Sequence, residues 1–253
     1  MTAEQITSRK NPLMTQVRKL VSSRKERREQ GLMVGDGTKL LEEAVRWNGQ
    51  LTAVIATPDA ALPDLPPQTR LVQVPEEVMQ SISPMQAPQG ALFLCRIPAR
   101  TIPETLPGGR YLVLDGLQDP GNVGTIWRTA DAMGADGLIL VNDCADPWNA
   151  KTVRASMGAC FRLPVYETDA SQLPELLERS GITLYATALR EDTVDLRTAQ
   201  LARAAVVIGS EGRGVSEQML QSSKLTLKIP MRERCESLNA AAAAAIILWE
   251  MAR

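Results

Sequence analysis

From Arg110 to the C-terminus, short apolar runs of strand length alternate with stretches of helical spacing, and this alternation leaves few folds open to the chain. Tyr111–Asp115, Gly137–Val141, Pro164–Glu167, Thr183–Ala188, Ala205–Gly209 and Leu225–Ile229 read as near-continuous apolar strands. Helices are expected at Asn122–Met133, Ala150–Ala159, Leu173–Arg179, Ser216–Ser222 and from Leu238 onward. Strands with no polar face need helices on both sides, the arrangement of a parallel α/β sheet. Open sheets of that kind collect ligands beyond the carboxyl ends of their strands. Function is therefore expected in the segments after Asp115, Ala188, Gly209 and Ile229.

The first hundred residues form a smaller α/β unit. Residues 11–30 have helical spacing, with Leu13, Val17, Leu20 and Val21 on one side, and end before Gly31. Strand Leu32–Val34, helix Thr38–Asn48, strand Leu51–Ala56, a Pro-rich loop, strand Leu71–Val74, helix Glu76–Ser81 and strand Gly90–Arg96 come after them. Residues 97–109 carry Pro98, Pro103, Pro107 and two glycines, as suits a semi-rigid connection. The expected organisation is a first domain at 1–96, a linker at 97–109 and a second domain at 110–253.

Composition removes whole classes of chemistry. The chain has no histidine, which excludes Ser-His-Asp hydrolysis and most transition-metal sites. Cys95, Cys144, Cys160 and Cys235 are scattered without a C-x-x-C pair, so free thiols are expected, with neither a zinc site nor a disulfide framework. No apolar run approaches the ~20 residues of a membrane span, and the polar N-terminus has no signal-peptide region. These features lead us to expect a soluble, cytoplasmic protein with no metal and no membrane partner. A formal net charge of −1 does not suggest a nucleic-acid binder, yet residues 1–30 hold eight Lys/Arg against three Glu. Arg9, Lys10, Arg18, Arg24 and Arg27 of this arm, with Lys39 beyond it, are candidates for neutralising phosphates. A solvated amphipathic helix would explain the arm equally well.

Three segments at strand ends carry candidate chemistry. After the first strand of the second domain comes Asp119-Pro120-Gly121-Asn122, in which Pro120-Gly121 turns the chain and Asn122 reads as the N-cap of the next helix. Arg128 lies six residues further along. After Ala205–Ile208 comes Gly209-Ser210-Glu211-Gly212-Arg213-Gly214, whose glycines permit close backbone approach while Glu211 would repel a pyrophosphate. Last comes Ile229-Pro230-Met231, a charged loop, then Ser237-Leu238-Asn239 opening an Ala-rich helix with Ser237 as its expected cap. Apolar walls facing a helix start suit a flat heterocycle. Each segment taken alone is also explained as an ordinary turn.

Together and in this order, N-x-G-x-x-x-R-T-A, G-S-E-G-x-G and I-P-M with E-S-L-N-x-x-x-A-A resemble the three motifs of SpoU (TrmH)-type RNA 2′-O-ribose methyltransferases, of the SPOUT class. The resemblance covers residues 110–253. It extends weakly into the first domain, where Ile6–Leu13, Val34–Leu41 and Gln89-Gly90 are similar to an L30e-like substrate-binding domain, with Asp36 standing where Glu is more usual.

By itself the resemblance implies a parallel-sheet α/β domain with a deep C-terminal trefoil knot, acting as a homodimer with cofactor sites near the dimer interface. The activity it implies is methylation of an RNA ribose 2′-hydroxyl, of 23S-type rRNA or else of tRNA. The rival readings are a non-catalytic RNA-binding paralogue and a nucleotide-dependent oxidoreductase. The implied cofactor is S-adenosyl-L-methionine, with Ala188, Gly209, Glu211, Ile229, Met231, Leu238 and Asn239 as candidate binding positions. Arg128, Asn122, Glu211, Ser237 and Asn239 would be the catalytic set, with Arg128 also contacting RNA.

Overall fold

A computed structural model describes residues 3–98, 101–190, 193–232 and 237–253. Cys235 and the charged loop residues Glu233, Arg234 and Glu236 lie outside the described residues. The chain divides into two compact units, Met1–Ala99 with Asp146–Arg162, and Arg100–Ala145 with Leu163–Arg253.

The first unit is a mixed sheet with helices. In chain order it has β1 (Glu4–Gln5), α1 (Pro12–Ser22), α2 (Arg24–Gln30), β2 (Leu32–Asp36), α3 (Thr38–Arg46), β3 (Leu51–Ala56), β4 (Arg70–Gln73), α4 (Glu76–Ile82) and β5 (Ala91–Arg96). The strand order is β1-β4-β3-β5-β2, with β5 antiparallel to both of its neighbours. Where the spacing of residues 11–30 predicts one helix, the structure has two. Ser23 has extended backbone, closing α1 through its N–H to Lys19 O and capping α2 by accepting from Glu26 N. The core gathers Met14, Val17 and Leu20 of α1 against Val34, Ile55, Val72 and Leu92 of the sheet. Asp36 is buried where β2 ends and accepts from Ser83 Oγ at 2.7 Å; burial pushes its carboxyl pKa up.

The second unit is the expected parallel sheet. It runs β6 (Arg110–Asp115), α5 (Pro120–Ala132) and β7 (Gly137–Val141), then through α6 (Ala150–Ala155) and α7 (Ala159–Arg162) to β8 (Val165–Glu167). The chain continues with α8 (Leu173–Arg179), β9 (Thr183–Thr187), β10 (Val194–Asp195), β11 (Ala204–Gly209), α9 (Glu217–Ser222), β12 (Leu225–Lys228) and α10 (Ala240–Ala252). Every described pairing is parallel, in the order β10-β12-β9-β11-β6-β7-β8. Strand alternation sends Tyr111 and Val113 to a core shared with Leu173, Leu176 and Met219. The fully buried Leu112 and Leu114 therefore face the other side of the sheet, where α5 and α10 pack. Trp127 of α5 is buried, and its Nε1 donates to Leu163 O at 3.1 Å.

Helices α6 and α7 lie between β7 and β8 in sequence but cluster with the first unit, α6 packing on β2. Two ion pairs hold this segment within the unit. Arg27, only 3% exposed, reaches Asp146 at 2.6 Å and also donates to Leu20 O and Val21 O. Arg162 pairs with Glu43 of α3. Arg27 is thus corrected from phosphate binder to buried structural cation, because its guanidinium faces inward. Arg9, Lys10 and Lys39 are exposed, and Arg18 and Arg24 are half-buried. Cys95, Cys144 and Cys160 are buried thiols. No helix among the described residues is long and apolar enough to cross a membrane.

Candidate active site

The loops at the carboxyl ends of β6, β7 and β11 are held by side chains that bridge them. Asp115, the last residue of β6 and 3% exposed, accepts from Ser216 N at 2.7 Å and from Asn142 Nδ2 at 2.7 Å. Asn142 also reaches Ser216 Oγ at 3.3 Å. Asn142 and the next residue, Asp143, both have positive φ, 54° and 53°, so the turn after β7 is tight and strained. None of Asp115, Asn142 and Ser216 is among the sequence-derived candidates. An Asp-Gly step closing an apolar strand was the available signal for Asp115.

Glu211 is the hub of a second cluster. Its Oε1 accepts from Asn122 Nδ2 at 2.7 Å and from Asn239 Nδ2 at 2.9 Å, and Asn239 Nδ2 also approaches Asn122 Oδ1 at 3.2 Å. One residue from each of the three sequence motifs thus meets the other two. Asn122 stands in the first turn of α5 and Asn239 caps α10, so the Glu211 carboxylate lies near two helix N-termini, where negative charge is favoured.

The caps differ from the sequence expectations. Asp119, not Asn122, caps α5, accepting from Gly121 N and Asn122 N, because Pro120 occupies the first helical position and fixes the start one turn earlier. Asn239, not Ser237, caps α10, accepting from Ala241 N and Ala242 N. Ser237 instead lines an apolar cleft.

The Gly-rich segment folds back on itself. Ser210 and Gly214 exchange backbone hydrogen bonds at 3.1 and 2.8 Å, and Gly214 has φ +68°. A Cβ on Gly209 would lie 2.0 Å from the Gly214 carbonyl carbon, so only glycine lets the loop close. On one side is the cleft, of about 230 Å³, lined by Thr187, Ala188, Leu189, Gly214, Leu227, Lys228, Ile229, Met231, Ser237, Leu238 and Ala243. On the other is a concavity of about 470 Å³, to which Gln118, Asp119, Asn122, Ser210, Glu211 and Arg213 contribute.

Of the sequence-derived cofactor positions, Ala188, Ile229, Met231 and Leu238 line the cleft, whereas Gly209, Glu211 and Asn239 do not. Gly209 acts through its missing side chain, and the other two belong to the amide–carboxylate cluster. Arg128 is exposed on α5. Six residues beyond Asn122, it lies roughly 9 Å further along the helix and about a third of a turn around it. Among the described residues there is no group of three or more metal-ligating side chains.

Comparison with known proteins assigns this architecture. Residues 109–249 match the model of the SpoU rRNA Methylase family, and residues 11–92 match an MRM3-like substrate binding domain. The chain is 31% identical over 249 residues to the 23S rRNA (guanosine(2553)-2′-O)-methyltransferase of Bacillus subtilis, covering 98% of this chain and 99% of that one. It is 30% identical to the mitochondrial rRNA methyltransferase 3 of Mus musculus, over 94% of this chain and 71% of that one. The AdoMet-bound rRNA methyltransferase from Sinorhizobium meliloti superposes with a TM-score of 0.86 at 29% identity, covering 98% and 97% of the two chains. With its three motifs brought to one end of a parallel sheet, the chain belongs to the SpoU rRNA methylase family.

Proposed function

We propose that this protein transfers a methyl group from S-adenosylmethionine to a ribose 2′-hydroxyl of ribosomal RNA, with 23S-type RNA as its target. The observation that carries the reading is the meeting of Asn122, Glu211 and Asn239 beside an apolar strand-end cleft in a chain of this family. The cleft fits the cofactor: Leu189 and Leu238, exposed at 66% and 37%, offer apolar walls for a heterocycle, and Ser237 adds a hydroxyl. When bound, S-adenosylmethionine supplies an electrophilic methyl group on a sulfonium.

The residues divide the remaining work. The acceptor oxygen must lose a proton as it attacks, and it must be held in line. Both amide donors fall on Oε1 of Glu211, and we assign the proton to Oε2. Arginine stays protonated in proteins, so Arg128 contacts the RNA phosphate and stabilises negative charge developing on the 2′-oxygen. Asn122 and Asn239 orient Glu211. Exposed Arg9, Lys10 and Lys39, with Arg18 and Arg24, grip the phosphate backbone.

The working unit in this reading is a homodimer. Helix α10 is apolar apart from Glu250, yet Ala242, Ile246 and Trp249 form an exposed stripe at helical spacing, with Trp249 59% exposed. A second copy seated on that stripe covers it, and Trp249→Glu is expected to yield monomers in sedimentation. The trefoil knot is part of the same proposal. Strand β12 lies outboard of β9 while α10 packs on α5, β11 and β6, so the C-terminal segment crosses back over the sheet. We place the protein in the cytoplasm.

The test is transfer of labelled methyl to total RNA and to ribosomal particles from cells lacking the protein, with Arg128→Ala in parallel. Label at a 2′-O-methyl ribose of large-subunit RNA is expected, reduced about 10²–10³-fold in the variant. Absence of transfer to any RNA or particle, with S-adenosylmethionine binding intact, would overturn the assignment. In Glu211→Gln, an unchanged pH–rate profile would remove Glu211 as the proton acceptor.

A further inference from the structure

The first unit holds a second arrangement suited to RNA, beyond residues 1–30 in sequence. Trp47 follows the last residue of α3 and is 46% exposed. Two guanidinium groups attend its ring: the Cζ of Arg46 lies 5.9 Å from the ring centroid and that of Arg162 lies 5.5 Å from it. Glu43 organises both, pairing closely with Arg162 and at 3.9 Å with Arg46. Near Arg162 in the same segment, Met157 is 45% exposed with φ 48°. The adjoining Gly158 lies so close to Glu43 that an added Cβ would meet the Glu43 Cβ at 2.8 Å. An aromatic face and two cations are thus gathered beside one carboxylate, with an exposed thioether in the segment that supplies Arg162.

We propose that Trp47, with Arg46 and Arg162, is a stacking platform for an unpaired nucleobase of the RNA substrate. The proposal rests on the reading of the first unit as RNA-binding and deepens it. Single-stranded nucleic acid is held by an aromatic face for the base beside cations for the phosphates, and both lie together here. The two arginines play different parts. Arg162 is 21% exposed and fixed by Glu43, so its guanidinium backs the ring. Arg46 is 73% exposed, and its approach to Glu43 is long. Such surface pairs contribute little, so Arg46 is able to leave the ring for a phosphate as a base arrives. Arg46, exposed beside the ring, supplies the cation that meets a phosphate. Trp127 makes the contrast: that indole is buried and its Nε1 is satisfied within the fold.

The test uses the full chain and two fluorescent RNAs, a single-stranded decamer of mixed sequence and a blunt duplex of the same sequence, monitored by anisotropy at fixed salt. Trp47→Ala is expected to weaken single-strand binding about 5- to 100-fold, as stacking of one base implies, and to leave duplex binding within about twofold. Trp47→Phe is expected to restore most of the single-strand affinity. Unchanged single-strand binding by a Trp47→Ala protein that melts like wild type would overturn the platform and leave an interface for a protein partner. Equal losses on both RNAs would also overturn it, because stacking on an unpaired base has no counterpart in the duplex. If wild type binds neither RNA, the RNA-binding role of the first unit fails together with the platform.

Discussion

In the second unit, polar side chains at the strand ends are aimed at one another: Asp115 joins Asn142 to Ser216, and Glu211 joins Asn122 to Asn239. In the first unit, the ionic side chains fasten segments far apart in sequence, Arg27 to Asp146 and Arg162 to Glu43, while Arg9, Lys10 and Lys39 face solvent. The first pattern fixes the positions of a few atoms to within a hydrogen bond. The second closes a scaffold and leaves an adaptable surface. Chemistry needs the one, and a grip on a long flexible polyanion is served by the other.

Breaking the buried pair of the first unit is the harshest test of this contrast. Arg27→Ala leaves the Asp146 carboxylate, 10% exposed, without its partner, and is expected to destabilise the first unit by about 3–5 kcal/mol. Denaturation monitored by hydrogen exchange would report the loss, and S-adenosylmethionine binding to the second unit is expected to survive. Equal loss of both properties would show that the two units do not have separable stabilities.

Asn239→Ala probes the other pattern. It removes the cap of α10 and one donor to Glu211, so a decrease of about 1 kcal/mol in stability is expected. Single-turnover methyl transfer is expected to slow more than cofactor affinity falls. Decreases of the same size in both would refute a positioning role.

The surface cations come next. Replacing Arg9 and Lys10 together by alanine is expected to leave the melting temperature unchanged and to lower RNA affinity severalfold. The salt slope of binding should shrink by about 2, one for each phosphate no longer neutralised. A slope equal to that of wild type would take the arm out of the RNA interface.

The mildest probe is thiol labelling. Burial pushes Cys95 of the first unit up to about 12 and Cys144 of the second up to about 11, so at pH 8 both are overwhelmingly protonated in the native fold. Labelling therefore proceeds through opening of the unit that holds each thiol. Peptide mapping in Arg27→Ala is expected to show faster modification of Cys95 and an unchanged rate at Cys144.

Much of the second unit was legible because apolar strand runs and turn-forming glycines are local signals. The three motif residues that converge at Glu211 were each visible beforehand, and only their meeting required the fold. The caps were misread, by three residues at α5 and by two at α10. Asn122 and Ser237 are good capping types, but Pro120 and the Ala run from Ala240 mark the true starts. Asp115 escaped notice because the Asp-Gly step that closes its strand reads locally as a turn; its role exists only when Ser216, 101 residues away, arrives beside it. Arg27 was misjudged for a related reason. It lies on the buried side of α2, but a charge within a basic run reads as solvated unless its partner is known. That partner, Asp146, comes from a part of the sequence that alternation alone assigns to the other sheet.

The segment Asp146–Arg162 also bears on how such a protein is inherited and engineered. A binding domain that ended at the linker could be exchanged in one crossover. Here the recipient would also have to carry a matching insert between β7 and β8, with Asp146 and Arg162 in register for their mates on α2 and α3. Grafting the N-terminal part alone onto a related catalytic core would take Asp146 from Arg27 and Arg162 from Glu43. The two units are thus bound to change together, and recombination between family members is expected to succeed only when both pieces travel as one.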